Sequence, residues 1–345
     1  MTTQLVEDAF AGIETAYMLG WTDGLPVVPA TRAAVDAFLA RVILPPDHVV
    51  AAMTTRNRVC TVEKAAINAV MAGCRPEYFP VVLTALHAMN EEPFNFYGSS
   101  ASTGGAAQCV VVNGPIRRAI AMNGSGNLYG PGNRANATIG RALRLITMNV
   151  FGMQPGVTDR STQGHPGKFT FCIAENEEAS PWEPWHVESG MPPDMSAVTV
   201  YAGNAPQNIE CHVGQTGEAI LTCIADTMAN LGSFSNGQSV VVITPEHADI
   251  IARDGWTKPA IRGYLYEHAR RTLADLKRGG KMSGTLEPGD ETTYRHRGEG
   301  SDDILLIVGG GDAGGHSSFI SSWSRGRASI MQTKPIICAV NGTKE

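Results

Sequence analysis

The chain reads as an α/β protein made of two pseudo-repeated α/β halves, with short buried strands and flanking helices. Three observations predict this. Apolar runs of strand length, CVVVN (109–113), AVTVYAG (197–203), SVVVIT (239–244) and ILLIV (304–308), alternate with helical stretches. Glycine, proline and asparagine mark the joins between them. Two stretches also repeat one order. The first runs PVVLTALHAM, CVVVNGP, IRRAIAM, ATIGRALRLI, and the second EAILTCIADTM, SVVVITP, EHADIIARDG, IRGYLYEHARRTL. In each, a proline closes the strand and a short helix follows. The expected division is 1–190, an N-terminal half with a Gly/Asn-rich anion loop, and 191–345, a C-terminal half, with a site between them. A chance likeness of two α/β segments is the alternative.

In chain order, residues 3–19 predict an opening helix. A turn at WTDG leads to a short extended VV and a helix begun near Thr31. TVEKAAINAVMAG (61–73) predicts a helix stopped by Gly73, and Pro76 suits the first turn of the next, PEYFPVVLTALHAM. Polar NEEPFNFYGSSASTGG precedes the buried strand at 109–113. A Gly-rich loop then enters a helix at 135–151. Residues 153–190 read as loop around one strand, KFTFCIAE (168–175). The strand at 197–203 precedes a helix, TGEAILTCIADTMANLG. The strand at 239–244 precedes two more, PEHADIIARDG and TKPAIRGYLYEHARRTLADLK. ILLIV, the turn GGGDAGGHSS and a final strand PIICAV (335–340) complete the pattern.

With 345 residues and 43% hydrophobic composition the chain has ample material for a core. Only 17% of residues are charged and 38 are glycine, which favours close-packed loops and a surface partly buried in a homo-oligomer. A net charge of −6, with no basic cluster among aromatics, argues against nucleic acid. MTTQLVEDAF has no basic-then-apolar character, and the apolar runs fall short of a membrane span, so a cytoplasmic protein off the membrane is expected. Seven cysteines without a C-x-x-C pair form neither a disulfide framework nor a structural zinc pattern, and suit reduced thiols.

The most informative stretch is NGSGNLYGPGNRANATIGRALRLITMNV (123–150). A loop of Gly, Asn and Pro brings backbone N–H groups together and runs into a helix start, whose dipole favours an anion. Asn133, Arg134, Asn136, Thr138 and Arg141 then complete a candidate site for a small carboxylate or phosphate. Asn113 and Gly114, closing the first buried strand, and Ser317, after the last Gly-rich turn, are further candidate substrate contacts.

GGGDAG (309–314) follows a strand as a dinucleotide fingerprint should. Too little chain remains for the rest of that unit, and no acidic residue closes the next strand. Phe169 stands where a phosphate loop needs Ser or Thr after Gly167-Lys168. No nucleotide, other cofactor or metal is therefore expected. A site on His165 with Glu175 or Glu177 lacks ligand spacing.

Five residues are candidates for catalysis. Cys74 lies between helices beside Arg75, where a dipole and a cation favour thiolate; a buried structural cysteine is the alternative. Lys168 and Glu175 bracket a strand within the polar stretch 159–178, suited to acid/base work or to a solvated surface loop. Asp23 sits in the WTDG turn, which its carboxylate could also fix. His316 follows the Gly-rich turn after ILLIV.

The strings WTDGLPVVP (21–29), INAVMAGCRPEYFPVV (67–82), RANATIGRALRL (134–145), PGKFTFCIAENEEASPWEP (166–184), PEHADIIARDGW (245–256) and VGGGDAGGHS (308–317) are spread over most of the chain, from 21 to 317. On them it resembles a poorly characterised bacterial family related to UGSC-type selenoproteins, named after a selenocysteine-Gly-Ser-Cys motif. The resemblance implies thiol or selenol redox chemistry, yet this chain has neither selenocysteine nor C-G-S-C. The matching strings carry Asp23, Cys74, Arg134, Asn136, Arg141, Lys168 and Glu175.

Three functions follow. The first is an enzyme acting on a small carboxylate-bearing molecule by hydrolysis or elimination, with Cys74 as nucleophile and Lys168, Glu175, Asp23 or His316 moving protons. The second is a thiol-redox subunit whose Cys74 exchanges with a separate thiol or selenol protein. The third is a non-catalytic binder of a small anion.

Overall fold

Two four-stranded sheets stack face to face, with helices on both outer sides, in a computed structural model that describes residue 4 and residues 6–336. The elements in chain order are α1 (Ala9–Met18), α2 (Arg32–Leu39), the hairpin β1 (Val49–Met53) and β2 (Arg58–Thr61), α3 (Val62–Ala72), α4 (Phe79–Met89) and α5 (Phe96–Ala101). Next come β3 (Ala107–Asn113), α6 (Ile116–Ala119), α7 (Arg134–Asn149), β4 (Cys172–Ala174), α8 (Trp185–Glu188), β5 (Ala197–Gly203), β6 (Gln207–Glu210) and α9 (Gly217–Met228). They are followed by β7 (Ser239–Ile243), α10 (Pro245–Arg253), α11 (Lys258–His268), β8 (Arg270–Thr272), α12 (Leu273–Arg278) and β9 (Tyr294–His296). The last three are β10 (Ile304–Val308), β11 (His316–Ser321) and β12 (Gln332–Pro335).

Local chemistry sets several ends where the sequence predicts them. The Thr61 hydroxyl accepts from Lys64 N to start α3, and Gly73, at φ 89°, stops it. The Asn133 side chain accepts from Asn136 N to start α7. Other expectations need correction. TKPAIRGYLYEHARRTLADLK is not one helix: its middle pairs with β9 as the short strand β8, and Thr272 caps a new helix. Of KFTFCIAE only Cys172–Ala174 is strand, paired with β3. The final strand ends at Pro335, and residues 337–340, with Cys338, lie outside the described residues.

One sheet has the order β12-β5-β3-β4 and the other β10-β7-β11-β6. β3 runs parallel to β4 and antiparallel to β5, which is antiparallel to β12. β7 runs parallel to β10 and antiparallel to β11, which is antiparallel to β6. The sheets thus match in order and direction, with CVVVN and SVVVIT in the same place. One edge strand of each sheet is exchanged: β6 follows β5 in the chain but joins the second sheet, and β12 follows β11 but joins the first. Residue 190 is accordingly no boundary between sheets, because β5 and β12 lie beyond it and belong with β3.

Alternation along the strands builds three cores. Cys109 and Val111 of β3, Val240 and Val242 of β7, and Leu305 and Ile307 of β10 form the layer between the sheets, with Tyr201 and Ile320. Val110 and Val112 pack with Ala65, Phe79 and Leu143 from the helices on one side. Val241, Ile243 and Leu306 pack with Ile220, Ile251 and Ile261 on the other. Strands covered on both faces read as unbroken apolar runs, which is why they were legible. Among the described residues no helix is long and apolar enough to cross a membrane.

Candidate functional site

The carboxyl ends of β4, β7 and β10 meet at one end of the stacked sheets, where the two Gly-rich loops touch. Gly310 N donates to Gly124 O at 2.9 Å, and Asn176 N, just past β4, donates to Val308 O at 2.8 Å. A Cβ on Gly124 would lie 3.0 Å from Ala174 O, so glycine permits this approach. Tyr129 OH and Ser318 Oγ, 2.7 Å apart, tie the first loop to β11.

Here Ser317 is the second residue of β11 and His247 sits in the first turn of α10. Ser317 Oγ lies 2.7 Å from His247 Nδ1, and His247 Nε2 lies 3.2 Å from Cys211 O. A carbonyl only accepts, so Nε2 carries the proton and Nδ1 receives the Ser317 hydroxyl proton. Burial lowers the His247 pKa and keeps the ring neutral, as a base must be. Thr244 N donates to Ser317 Oγ at 3.2 Å. Ser317 and His247 are 3% and 1% exposed.

The turn before Ser317 holds an internal anion. Gly314 N and Gly315 N, at 2.6 and 2.9 Å, both donate to Glu246 Oε2. Those two hydrogen bonds hold the Glu246 carboxyl below its ordinary value. His316 and His212 are exposed, with their Nε2 atoms 3.1 Å apart. Among the described residues no group of three or more His, Cys, Asp or Glu side chains is arranged to hold a metal.

The remaining predicted residues fall into three other clusters. In the first, Arg141 donates to both Asp23 oxygens at 2.8 Å and to Pro26 O at 2.9 Å, which welds the WTDG turn to α7. Arg134 Nε donates to Gly73 O, while the Thr138 carbonyl accepts from Cys74 Sγ at 3.2 Å and its hydroxyl bonds Arg134 O. Cys74 is buried, and burial pushes its thiol up to about 12 against the pull of that hydrogen bond and two arginines. This corrects the thiolate reading, because the helix end and Arg75 do not offset lost hydration.

The anion loop is also spent on itself. Asn133 caps α7 and donates to Ala121 O, and buried Asn136 bonds both the N–H and the carbonyl of Asn123. Asn123 and Asn127 satisfy Ser125 N and Pro131 O. The site predicted on Asn133, Arg134, Asn136, Thr138 and Arg141 is therefore a structural joint. Arg134 alone among them keeps an exposed side chain.

Lys168 lies in the second cluster, 2.8 Å from Asp159, which Arg144 also meets at 3.0 Å. Burial opposes the Asp159 charge, yet hydrogen bonds from Lys168 and Ser161 hold its carboxyl below the usual value. Lys168 is an ion-pair partner and not a proton carrier for Glu175, with which it shares no hydrogen bond.

Glu175 anchors the third. Fully buried, it accepts from Asn113 Nδ2 at 2.5 Å and Trp185 N at 2.9 Å, while its Oε1 and Asn113 Oδ1 have no partner. Burial pushes its carboxyl above the usual value, against the nearby Lys258 charge. Gly114 N donates to Glu177 Oε1 at 2.7 Å, and a Cβ on Gly114 would lie 2.3 Å from Met195 O. Asn113 Nδ2 is thus committed to Glu175 and Glu177, and Gly114 packs closely against the backbone of Met195 and Ser196.

His247 went unread because PEHADIIARDG shows only an amphipathic helix; its one signal was a histidine one turn past a buried strand. Comparison with protein-family models, curated proteins and solved structures finds no match to this chain.

Proposed function

We propose that the protein is a hydrolase acting on a small carboxylate-bearing molecule, with Ser317 as nucleophile and His247 as its base. The carrying observation is the 2.7 Å contact between Ser317 Oγ and a neutral His247 whose other nitrogen is held by Cys211 O. In the reaction His247 Nδ1 takes the hydroxyl proton as Ser317 attacks the acyl carbon, then returns it to the leaving group. Water repeats the cycle to release the acid.

The carboxylate preference rests on the Gly314 and Gly315 amides, which already hold the Glu246 carboxylate next to Ser317. A substrate carboxylate takes that place as the Gly310–Gly315 turn opens and exposes Ser317. The hollow at the start of α10 carries Asp249 and Asp312, so the rest of the substrate is neutral or cationic. The turn's ability to open rests on Gly310, Gly314 and Gly315, all at positive φ. A homo-oligomer and kinship with the UGSC-related family belong to the same proposal, on the low charge fraction and the strings above.

The test is labelling by a fluorophosphonate, with turnover of short carboxylate-bearing esters measured alongside. A single adduct at Ser317, absent in Ser317→Ala and slowed about 10²–10⁴-fold in His247→Ala, is expected. A folded protein that leaves Ser317 unlabelled and turns over every ester unchanged as Ser317→Ala overturns the assignment.

A further inference from the structure

We propose that Cys211 and Cys223 are a redox modification site, closing to a reversible disulfide beside the Ser317–His247 pair. Their sulfurs lie in contact at 3.6 Å, Cys211 in the loop after β6 and Cys223 on α9. Both are half-buried and, like the other described cysteines, free. Bond formation requires an approach of about 1.5 Å, to an S–S length of about 2.05 Å. The loop is suited to supply it: His212 and Val213 next to Cys211 are exposed, Val213 by 88%. At Gly214 a Cβ would stand 2.6 Å from Cys211 Sγ, so glycine leaves the sulfur room.

The chemistry balances with a small disulfide such as oxidised glutathione. The exposed loop brings Cys211 to the oxidant first. Its thiolate attacks one sulfur, forms a mixed disulfide and expels one thiol. Cys223 then loses its proton, attacks the Cys211 sulfur and expels the second thiol. The protein loses two electrons and two protons, and the oxidant becomes two thiols. Burial, with the Cys211 thiol beside it, keeps Cys223 protonated and fits it to the resolving step.

The site bears on the function because Cys211 is wired to the pair. Its carbonyl accepts from His247 Nε2, and its N–H donates to Gly315 O at 2.9 Å, in the turn before Ser317. Pulling Cys211 toward α9 shifts the carbonyl that orients His247. This consequence, unlike the disulfide, rests on the hydrolase reading.

The experiment is incubation of the native folded protein with excess oxidised glutathione, followed by intact mass and non-reducing peptide mapping. Loss of two hydrogens, a peptide linking Cys211 to Cys223, and reversal by dithiothreitol are expected. Cys223→Ser should instead stop at a glutathione adduct on Cys211. Two thiols that stay alkylatable in the folded, oxidant-treated protein overturn the site. Fluorophosphonate labelling of the same samples tests the coupling. A rate at least about tenfold lower after oxidation in the wild type, unchanged in Cys223→Ser, supports it. Equal rates overturn the coupling, whereas no labelling in either state refutes the hydrolase reading and leaves the mass result standing.

Discussion

Arg141 grips Asp23 through two parallel hydrogen bonds of 2.8 Å, joining residues 118 positions apart in the chain. The Asp23 side chain is only 3% exposed. A guanidinium that reads in sequence as half of an anion site is instead occupied by the protein's own carboxylate. Arg141→Ala should lower stability by about 3–5 kcal/mol, since it strands a buried charge. Asp23→Asn with Arg141→Gln should recover part of that loss. Denaturant titration of the single and double variants checks both, and additive losses would contradict the pairing.

Cys74 should behave as an inert core thiol. With its thiol pushed up to about 12, it resists iodoacetamide in the native protein at neutral pH. Cys74→Ala should leave turnover within about twofold, because only a weak bond to Thr138 O is lost. A pH series of alkylation, read by peptide mass, checks this. Modification faster than in the unfolded chain would restore the thiol to the chemistry.

Glu175 should make stability depend on pH from the alkaline side. Its folded pKa lies above the ordinary value of 4.5, so its favourable contribution is complete below that value. It is lost as pH rises through the higher folded value. Glu175→Gln keeps an oxygen for Asn113 Nδ2 and Trp185 N without the charge. Relative to wild type it should gain stability as pH is raised above 4.5, as read by denaturation midpoints over a rising pH series. A constant difference across that series would refute the burial argument.

Asp159 should act in the opposite sense. Its folded pKa lies below the ordinary 3.8, so its contribution is full above that value and lost as pH falls through the lowered one. Asp159→Asn leaves Arg144 and Lys168 without their shared carboxylate and should cost about 3–5 kcal/mol at neutral pH. The gap to wild type should shrink in acid, which acid-unfolding curves of the two proteins would show.

Helix ends were legible at Thr61, Gly73 and Asn133, where a local side chain or a glycine enforces them, but not at Thr272, which caps α12 inside a stretch that reads as one helix. Strands were legible where both faces are covered, so that every residue from Val110 to Val112 is apolar. The hairpin of β1 and β2 was not, because its residues are mixed, and neither was the exchanged strand β6, whose partner β11 lies far along the chain. Glu175 and Lys168 stand out in sequence as candidates for acid/base work in a charge-poor chain, but their neighbours could not be read. The pairing of Lys168 with Asp159, and the seclusion of Glu175 against Asn113, are distances between segments.

The sequence by itself determined the α/β class and the run of most helices and core strands. Each follows from interactions within about one helical turn or one strand, which local order encodes. Only the tertiary structure decided which polar groups are spent and which remain. Whether an arginine binds a ligand or a carboxylate 118 residues away depends on which groups packing brings together, as does whether a cysteine is a thiolate or a buried thiol. Ser317 and His247, 70 positions apart, meet because β7 and β11 are neighbours in one sheet, and burial then keeps the imidazole neutral.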